Sequence, residues 1–522
     1  MTPPHQGASA TPAHEGAIRH GTAPQGSAAP ESAVVSGGAA PQVSPGSGHV
    51  GKDSGDGAGA SDSAAGERRI PFPTVDEITR HCLDDDEPET VHVEIHLPAL
   101  PDPDRLRAAF AEAMRRHPRI LLRQAPTRWW RPRYEWVLTP EPDRDPVSFP
   151  GGTLEEARRR ALAECPPLDA SPPFRAEVIE HGDGCVLLVT INHTALDGPA
   201  CLRVVATAAE LYGGADNSPA PPPVRAPTRE RGGDEDSAPG GRLWTRPARI
   251  AADTRHPGEP GNGMLIADLP VPQRPPRAPG ESAPYTVNDQ LLVATWLMVA
   301  RWNSAHEEPV RPVRITMPVD DRPRTADMPI GNGTRLVEVT FGARERELYG
   351  TLTAPGTPGT PSTPGTSDRG REEIEQLLRS TAARTRALKS VDRPQLGFSG
   401  DLLTTPLLPV GLRAAGIRTL RRAAGPWAST TLLSNIGRVP YPLDFGDAGR
   451  ARAVWFSAPA RVPRGLSVTT VSTNGRLQLA LRWSHARLDD SAGERLGALF
   501  AEALAATSYV PDEPAESRQE PS

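Results

Sequence analysis

The sequence predicts an α+β protein of two lobes, each a mixed sheet carrying helices. Three observations lead there. Blocks 69–214 and 263–510 both interleave period-two apolar runs with stretches of helical period. Segment 215–262, rich in Pro, Gly and charge, separates them as a linker. The rest is low in complexity: residues 1–68, an insertion at 350–370 and residues 511–522 hold too little apolar surface to offset the entropy of ordering, which predicts disorder there.

In the first block, "TVHVEIHL" (90–97) alternates Val91, Val93, Ile95 and Leu97 against polar neighbours. That is the period of a half-buried strand with His92 and His96 on a solvated face. "DPDRLRAAFAEAMRRHPRI" is a helix capped by Asp102 or Asp104, with Leu106, Phe110, Ala113 and Met114 on one stripe and Pro118 as its stop. "RYEWVL" reads as a strand and "GGTLEEARRRALAEC" as a helix halted by two prolines. "FRAEVIEHGDGCVLLVTIN" is a hairpin about its Gly-Asp-Gly, and "GPACLRVVATAAELYGG" a helix ended by Gly213 and Gly214.

The second block opens with the helix "TVNDQLLVATWLMVARWN", for which Asn288 is the expected cap. "VRITMPVDDRPR" is a buried strand entering a charged turn, and "GNGTRLVEVTF" a further strand. "REEIEQLLRSTAARTRALKS" is an amphipathic helix, and "STTLLSNIG" and "ARAVWFS" are strands. A hairpin turned by Asn474-Gly475 and the helix "SAGERLGALFAEALAAT" close the chain.

Composition excludes several classes. The 58 Lys and Arg against 64 Asp and Glu leave a formal charge of −6, with no electrostatic footprint for nucleic acid. Arg158 to Arg160 and Arg421 with Arg422 read as solvated helix faces. No run of 18 apolar residues predicts a membrane span, and residues 1–68 lack the apolar core of a secretory signal. Cys82, Cys165, Cys185 and Cys201 form no Cys-x-x-Cys pair. They read as reduced, small buried thiols of a cytoplasmic protein, with no metal site.

The chemistry-bearing stretch is "NHTALDG" (192–198). His193 stands at the exit of an apolar strand, and Asp197-Gly198-Pro199 has the pattern of a helix start, Asp as cap and Pro in the first turn. The two residues therefore flank a tight loop instead of sharing a helical face. On geometry alone two readings stand: His193 ends a strand with its ring bonded to backbone, or it is a catalytic group held on a loop between rigid elements.

"NHTALDG" resembles the His-x-x-x-Asp-Gly signature of the condensation-domain superfamily, which includes chloramphenicol-acetyltransferase-like enzymes, peptide-synthetase condensation domains and polyketide-associated acyltransferases. Other stretches are similar in the same order: "YTVNDQLLVATWLMVARW", "ITMPVDDRPR" followed by "IGNGTRLVEV", "STTLLSNIGRVP" and the closing hairpin and helix. Together they cover most of residues 70–510. The chain departs from the family where Asn192 replaces the first of two tandem histidines, in lacking a His-x-Asp-x-Pro-Phe-Glu segment and the Arg-Asx-rich C-terminal motif, and in "LDFGD" (443–447), which lacks the Trp-Gly of plant acyltransferases and leaves Asp444 a turn residue.

The resemblance implies two chloramphenicol-acetyltransferase-like lobes in a V around a channel. It implies that His193 acts as general base on an amine or hydroxyl attacking a thioester, since imidazole takes and returns protons near neutral pH. Asp197 is expected to pair with Arg322 of the other lobe and fix the loop. Gly198 is expected to let backbone pass close to a pantetheine arm or simply to serve the turn, and Ser434 or Asn435 to line the channel as oxyanion donors. No bound cofactor is implied. The thioester of an acyl or peptidyl carrier protein, or of coenzyme A, is substrate, and a small amine or alcohol is acceptor. A free-standing acyltransferase of specialised metabolism is the leading expectation. A non-catalytic docking protein that recruits carriers, and epimerisation or dehydration of a tethered chain, are the alternatives.

Overall fold

The computed structural model describes residues 68–220, 245–353, 368–390 and 403–511, apart from 85, 254–259, 277–280, 282, 324 and 326. The expected N-terminal tail up to residue 67, most of the linker, most of the insertion at 350–370 and all but the first residue of the C-terminal tail lie outside the described residues.

The chain runs β1 (Arg68–Pro71), α1 (Thr74–His81), β2 (Thr90–Leu97), α2 (Pro103–Arg116), β3 (Leu122–Gln124), β4 (Glu135–Leu138), β5 (Val147–Ser148), α3 (Leu154–Ala163), β6 (Phe174–His181), β7 (Gly184–Asn192) and α4 (Gly198–Gly213). It continues with β8 (Asn262–Pro270), α5 (Val287–Ala305), β9 (Val313–Asp320), β10 (Thr334–Phe341), α6 (Ala343–Thr353), α7 (Asp368–Ser390), α8 (Val410–Ala424), β11 (Thr431–Arg438), β12 (Ala453–Ser457), β13 (Leu466–Thr473), β14 (Arg476–Ser484) and α9 (Asp490–Ala506).

The first lobe is a sheet in the order β12-β2-β7-β6-β5, with a small sheet β1-β4-β3 beside it. The second is the sheet β10-β9-β11-β13-β14-β8, parallel at β9-β11-β13 and antiparallel outside. Each lobe has its own apolar core. Val93, Ile95, Leu106, Phe110, Phe174 and Val189 meet in the first, and Leu292, Trp296, Val339, Leu377, Leu479 and Phe500 in the second. Burial of such side chains is the main drive for folding, about 25 cal/mol per Å² of apolar surface.

Local chemistry sets the helix starts. Asp102 Oδ1 accepts from Arg105 N at 2.8 Å, and Thr153 and Glu156 exchange bonds across the first turn of α3. At α5 the cap is Thr286 and not Asn288: Asp289 reaches back to accept from Thr286 N at 2.8 Å and from its hydroxyl at 2.7 Å. Asn288 lies inside the helix and donates to Met317 Sδ at 3.1 Å.

Three further expectations need correction. β2 is an inner strand covered on both faces, because α3 packs where solvent was expected. His92 is buried with Nε2 2.9 Å from Ala161 O, burial pushes its pKa well down, and Glu94 takes both arms of Arg158 at 2.9 and 2.8 Å. Part of the linker belongs to the second core: Ala248, Ile250 and Ala251 are buried there, small apolar side chains in a segment whose average composition is polar. β12, read as part of the second block, instead pairs antiparallel with β2, Ala453 opposite His96 through Ser457 opposite His92. Tyr441, Leu443 and Phe445 follow it into the first core. The strand closes an edge of β2 that would otherwise stand unpaired.

The described residues contain no helix long and apolar enough to cross a membrane. All four cysteines are free; Cys185 and Cys201 are buried, whereas Cys82 and Cys165 are only half-buried. Burial pushes the Cys165 thiol up to about 12 and Cys185 to about 11.

Candidate active site

A cavity of about 610 Å³ lies between the lobes, walled by Val75, His193 and Gly198 on one side and Met317, Ser434 and Asn435 on the other. Its first-lobe wall is the β7–α4 loop. β7 ends at Asn192 because the chain must turn there: Asn192 Oδ1 accepts from Thr194 N at 3.0 Å, and its Nδ2 donates to Pro166 O at 2.8 Å. Consecutive residues at a strand end point to opposite sides. Asn192 accordingly borders a separate cleft with Cys165 and Arg123, while His193 borders the inter-lobe cavity.

His193 is half-buried, with its backbone N–H donating to Glu89 O at 2.9 Å. Its Nδ1 lies 3.0 Å from Leu196 O. A carbonyl only accepts, so Nδ1 carries the proton and the neutral ring keeps its lone pair on Nε2. The ring is therefore bonded to backbone through Nδ1, as the first of the two readings expects.

Asp197 does two jobs. Its Oδ1 accepts from Ala200 N at 2.9 Å, capping α4, and its Oδ2 accepts from Arg322 Nη2 at 2.7 Å and from Gly333 N at 2.9 Å, both in the second lobe. Arg322 also donates to Asp320 through Nε at 2.9 Å and to Gly331 O at 3.0 Å. Burial alone would lower its pKa; Asp320 and Asp197 outweigh that and hold the guanidinium above its usual range.

Gly198 does not have a positive φ, so turn conformation is not what requires it. A Cβ there would sit 2.9 Å from Phe456 Cε1 and 3.4 Å from Val91 Cγ1. Glycine lets the start of α4 close against β12 and β2. Ser434 and Asn435 lie on β11 at the opposite wall. Asn435 Oδ1 accepts from Gly437 N at 2.9 Å across a bulge whose Gly437 has φ of 76°, and its Nδ2 donates to Asn288 Oδ1 at 3.3 Å. Much of that side chain is occupied in shaping β11. Asp444 forms a turn, accepting from Gly446 N at 2.9 Å.

Two site residues carry no signal in the sequence pattern. Asn332, in the loop before β10, donates its amide to His193 O at 3.1 Å, to Thr194 O at 3.0 Å and to Asp76 Oδ1 at 2.9 Å. Asp76, on α1, also accepts from Trp136 Nε1 at 2.9 Å; burial pushes its carboxyl up to about 6 despite both donors. Asp76 stands in a stretch for which no element is read from the sequence, and only the fold brings it under the histidine loop.

No family model matches the chain. It is 25% identical over 440 residues to an uncharacterized protein of Mycobacterium tuberculosis (strain ATCC 25618 / H37Rv), spanning 80% of this chain and 94% of that protein. Among solved structures it is similar to the condensation domain of the monacolin K polyketide synthase MokA, with a TM-score of 0.53 and 13% identity over 84% of this chain and 97% of that one. Trichothecene 15-O-acetyltransferase from Fusarium sporotrichioides gives 0.53 and 12% over 85% and 95%. The starter condensation domain of rhizomide synthetase RzmA, in complex with C8-CoA and Leu-SNAC, gives 0.50 and 14% over 84% and 94%. The fold is that of condensation domains and related chloramphenicol-acetyltransferase-like acyltransferases.

Proposed function

We propose, on the premise of the condensation-domain fold, that this protein transfers an acyl group from a carrier-protein or coenzyme A thioester to an amine or hydroxyl acceptor, with His193 as general base. One observation carries the reading. The His193 ring is bonded to Leu196 O through Nδ1, and the residue lines the cavity shared by both lobes. The acyl-CoA complex of the similar rhizomide domain supports a thioester donor.

Nε2 takes the proton as the acceptor's O or N bonds to the thioester carbonyl carbon. The tetrahedral intermediate then expels the thiolate, the C–S bond breaks, and His193-H⁺ returns the proton to sulfur. No side chain is acylated, and holding both substrates at one base supplies much of the rate. Ser434, which lines the cavity from β11, is a candidate to donate to the developing oxyanion, worth about 10²–10³ in rate for such a donor. Asp197 and Arg322 hold the loop that presents His193.

The test is to incubate the protein with acyl-CoA and acyl-carrier thioesters and a panel of amines and alcohols, reading masses of product and carrier. Formation of an amide or ester with loss of the thioester is expected. Binding of a carrier without turnover of any thioester would replace this reading with a docking role. A carrier whose chain is epimerised or dehydrated without transfer would replace it with modification in place.

A further inference from the structure

The cavity wall carries a guanidinium that the protein does not answer. The loop 461–465 is closed by Gly465 N donating to Arg461 O at 2.9 Å, and both Arg461 and Arg464 line the cavity. Arg461 is committed, pairing with Glu89 Oε2 at 2.5 Å and donating to Cys82 O at 2.5 Å. Arg421 donates to Cys82 O at 2.9 Å and to Val462 O at 3.1 Å. Arg464 makes no hydrogen bond and no ion pair among the described residues.

The charges around it do not neutralise it. Glu89 and Glu338 face it attractively, Arg461 and Arg421 repulsively, and Arg249 feels it as a further like charge. Glu89 is already taken by Arg461, and Glu338 lies 3.7 Å from Arg314. Arg464 is half-buried, and desolvation, outweighing the pull of Glu89 and Glu338, pushes its pKa down. A half-buried guanidinium that lines a cavity and has no partner among the described residues is open to an anion entering that cavity. Glu89 ties this corner to the base, because its carbonyl accepts from His193 N at 2.9 Å.

We propose that Arg464 is an anion-recognition residue of this cavity, taking a carboxylate or phosphate group borne by a substrate. The inference rests on the cavity being a substrate site. Two sources share the chemistry: the phosphate of a phosphopantetheine arm or coenzyme A, and a carboxylate on the acceptor. Arginine suits either, since its planar fork bonds both oxygens of such a group.

Calorimetric titration of the full chain tests it without needing turnover. The matched probes are 4′-phosphopantetheine against pantetheine, and amino acids against their C-terminal amides. In the wild type one charged member of a pair binds more tightly than its neutral partner, and the pair that differs identifies the source. Arg464→Gln erases that difference, weakening the charged probe roughly ten- to hundredfold, while Arg464→Lys restores part of it. Arg464→Gln also unfolds no earlier than wild type in the ligand-free state, since it removes an unpaired cation. Equal binding within both pairs, or a preference that survives in Arg464→Gln, overturns the proposal. Absence of turnover with every thioester would count against the acyltransferase reading alone.

Discussion

Asn332 holds the backbone carbonyl of His193 at 3.1 Å from the opposite lobe. Its amide also reaches Asp76, 256 positions earlier in the chain, at 2.9 Å. The histidine loop is thereby clamped from below by α1 and from across the cavity by the loop before β10. Asn332→Ala should lower kcat about tenfold or more while KM for the thioester moves little, because the change loosens the loop that carries the proposed base. Steady-state kinetics check this; a rise in KM at constant kcat would show that Asn332 contacts substrate instead.

His193→Ala should abolish product above background with an unchanged unfolding midpoint, its side chain being half-buried and bonded, among the described residues, only through Nδ1. Retained turnover removes His193 from the mechanism. His193→Gln should be equally inactive, since an amide cannot take the proton.

Breaking the inter-lobe pair should do more harm than replacing it. Arg322→Met leaves the buried Asp197 carboxylate with only backbone donors and should cost about 3–5 kcal/mol of stability. The double variant Arg322→Met with Asp197→Asn should recover part of that loss, because Asn keeps a cap for α4 without the charge. Denaturant unfolding of the two single variants and the double gives the coupling directly.

Asp76 predicts a pH dependence. Its folded pKa, about 6, exceeds the ordinary carboxylate value of 3.8, so the native state binds the proton more tightly than the unfolded chain. That contribution to stability is complete at low pH and is lost as pH rises between about 4 and about 6, by on the order of 3 kcal/mol. Asp76→Asn, neutral throughout, lacks this loss. The stability advantage of wild type over Asp76→Asn should therefore shrink as pH goes from 4 to 7, measured by urea titration at each pH. A widening advantage would contradict the burial of a protonated carboxyl.

Gly198→Ala should disturb the start of α4, because its methyl would meet Phe456 at 2.9 Å. Overpacking of this kind costs about 1–3 kcal/mol, and Phe456→Leu in the same chain should relieve it. Thermal unfolding of the pair checks the relief.

Strands β2, β4, β6, β7 and β9 to β14, the hairpins at Gly182-Asp183 and Asn474-Gly475, and the caps at Asp102 and Asp197 were legible because each is a local pattern, whereas β1, β3, β5 and β8 were not read. The inner position of β2 was not, since its alternation is real and the helix α3 that covers the polar face lies about 60 residues on. Asp76, Asn332 and Arg464 were hidden for the same reason: each acts through a partner that only tertiary structure supplies. Asn288 was misplaced as a cap because Asn and Thr are both good cap residues two positions apart, and the carboxylate of Asp289 decides for Thr286.

Because β12 threads back from the second half of the gene into the first sheet, the two halves are not separable cassettes. A fragment ending in the linker would expose the bare rim of β2 and invite self-association, and hybrids spliced there from two relatives would have to match Val454 and Phe456 to a foreign strand. No single cut leaves both sheets whole: one in the linker strips β12 from the first sheet, and one after β12 parts β11 from β13 and β8 from β14 in the second.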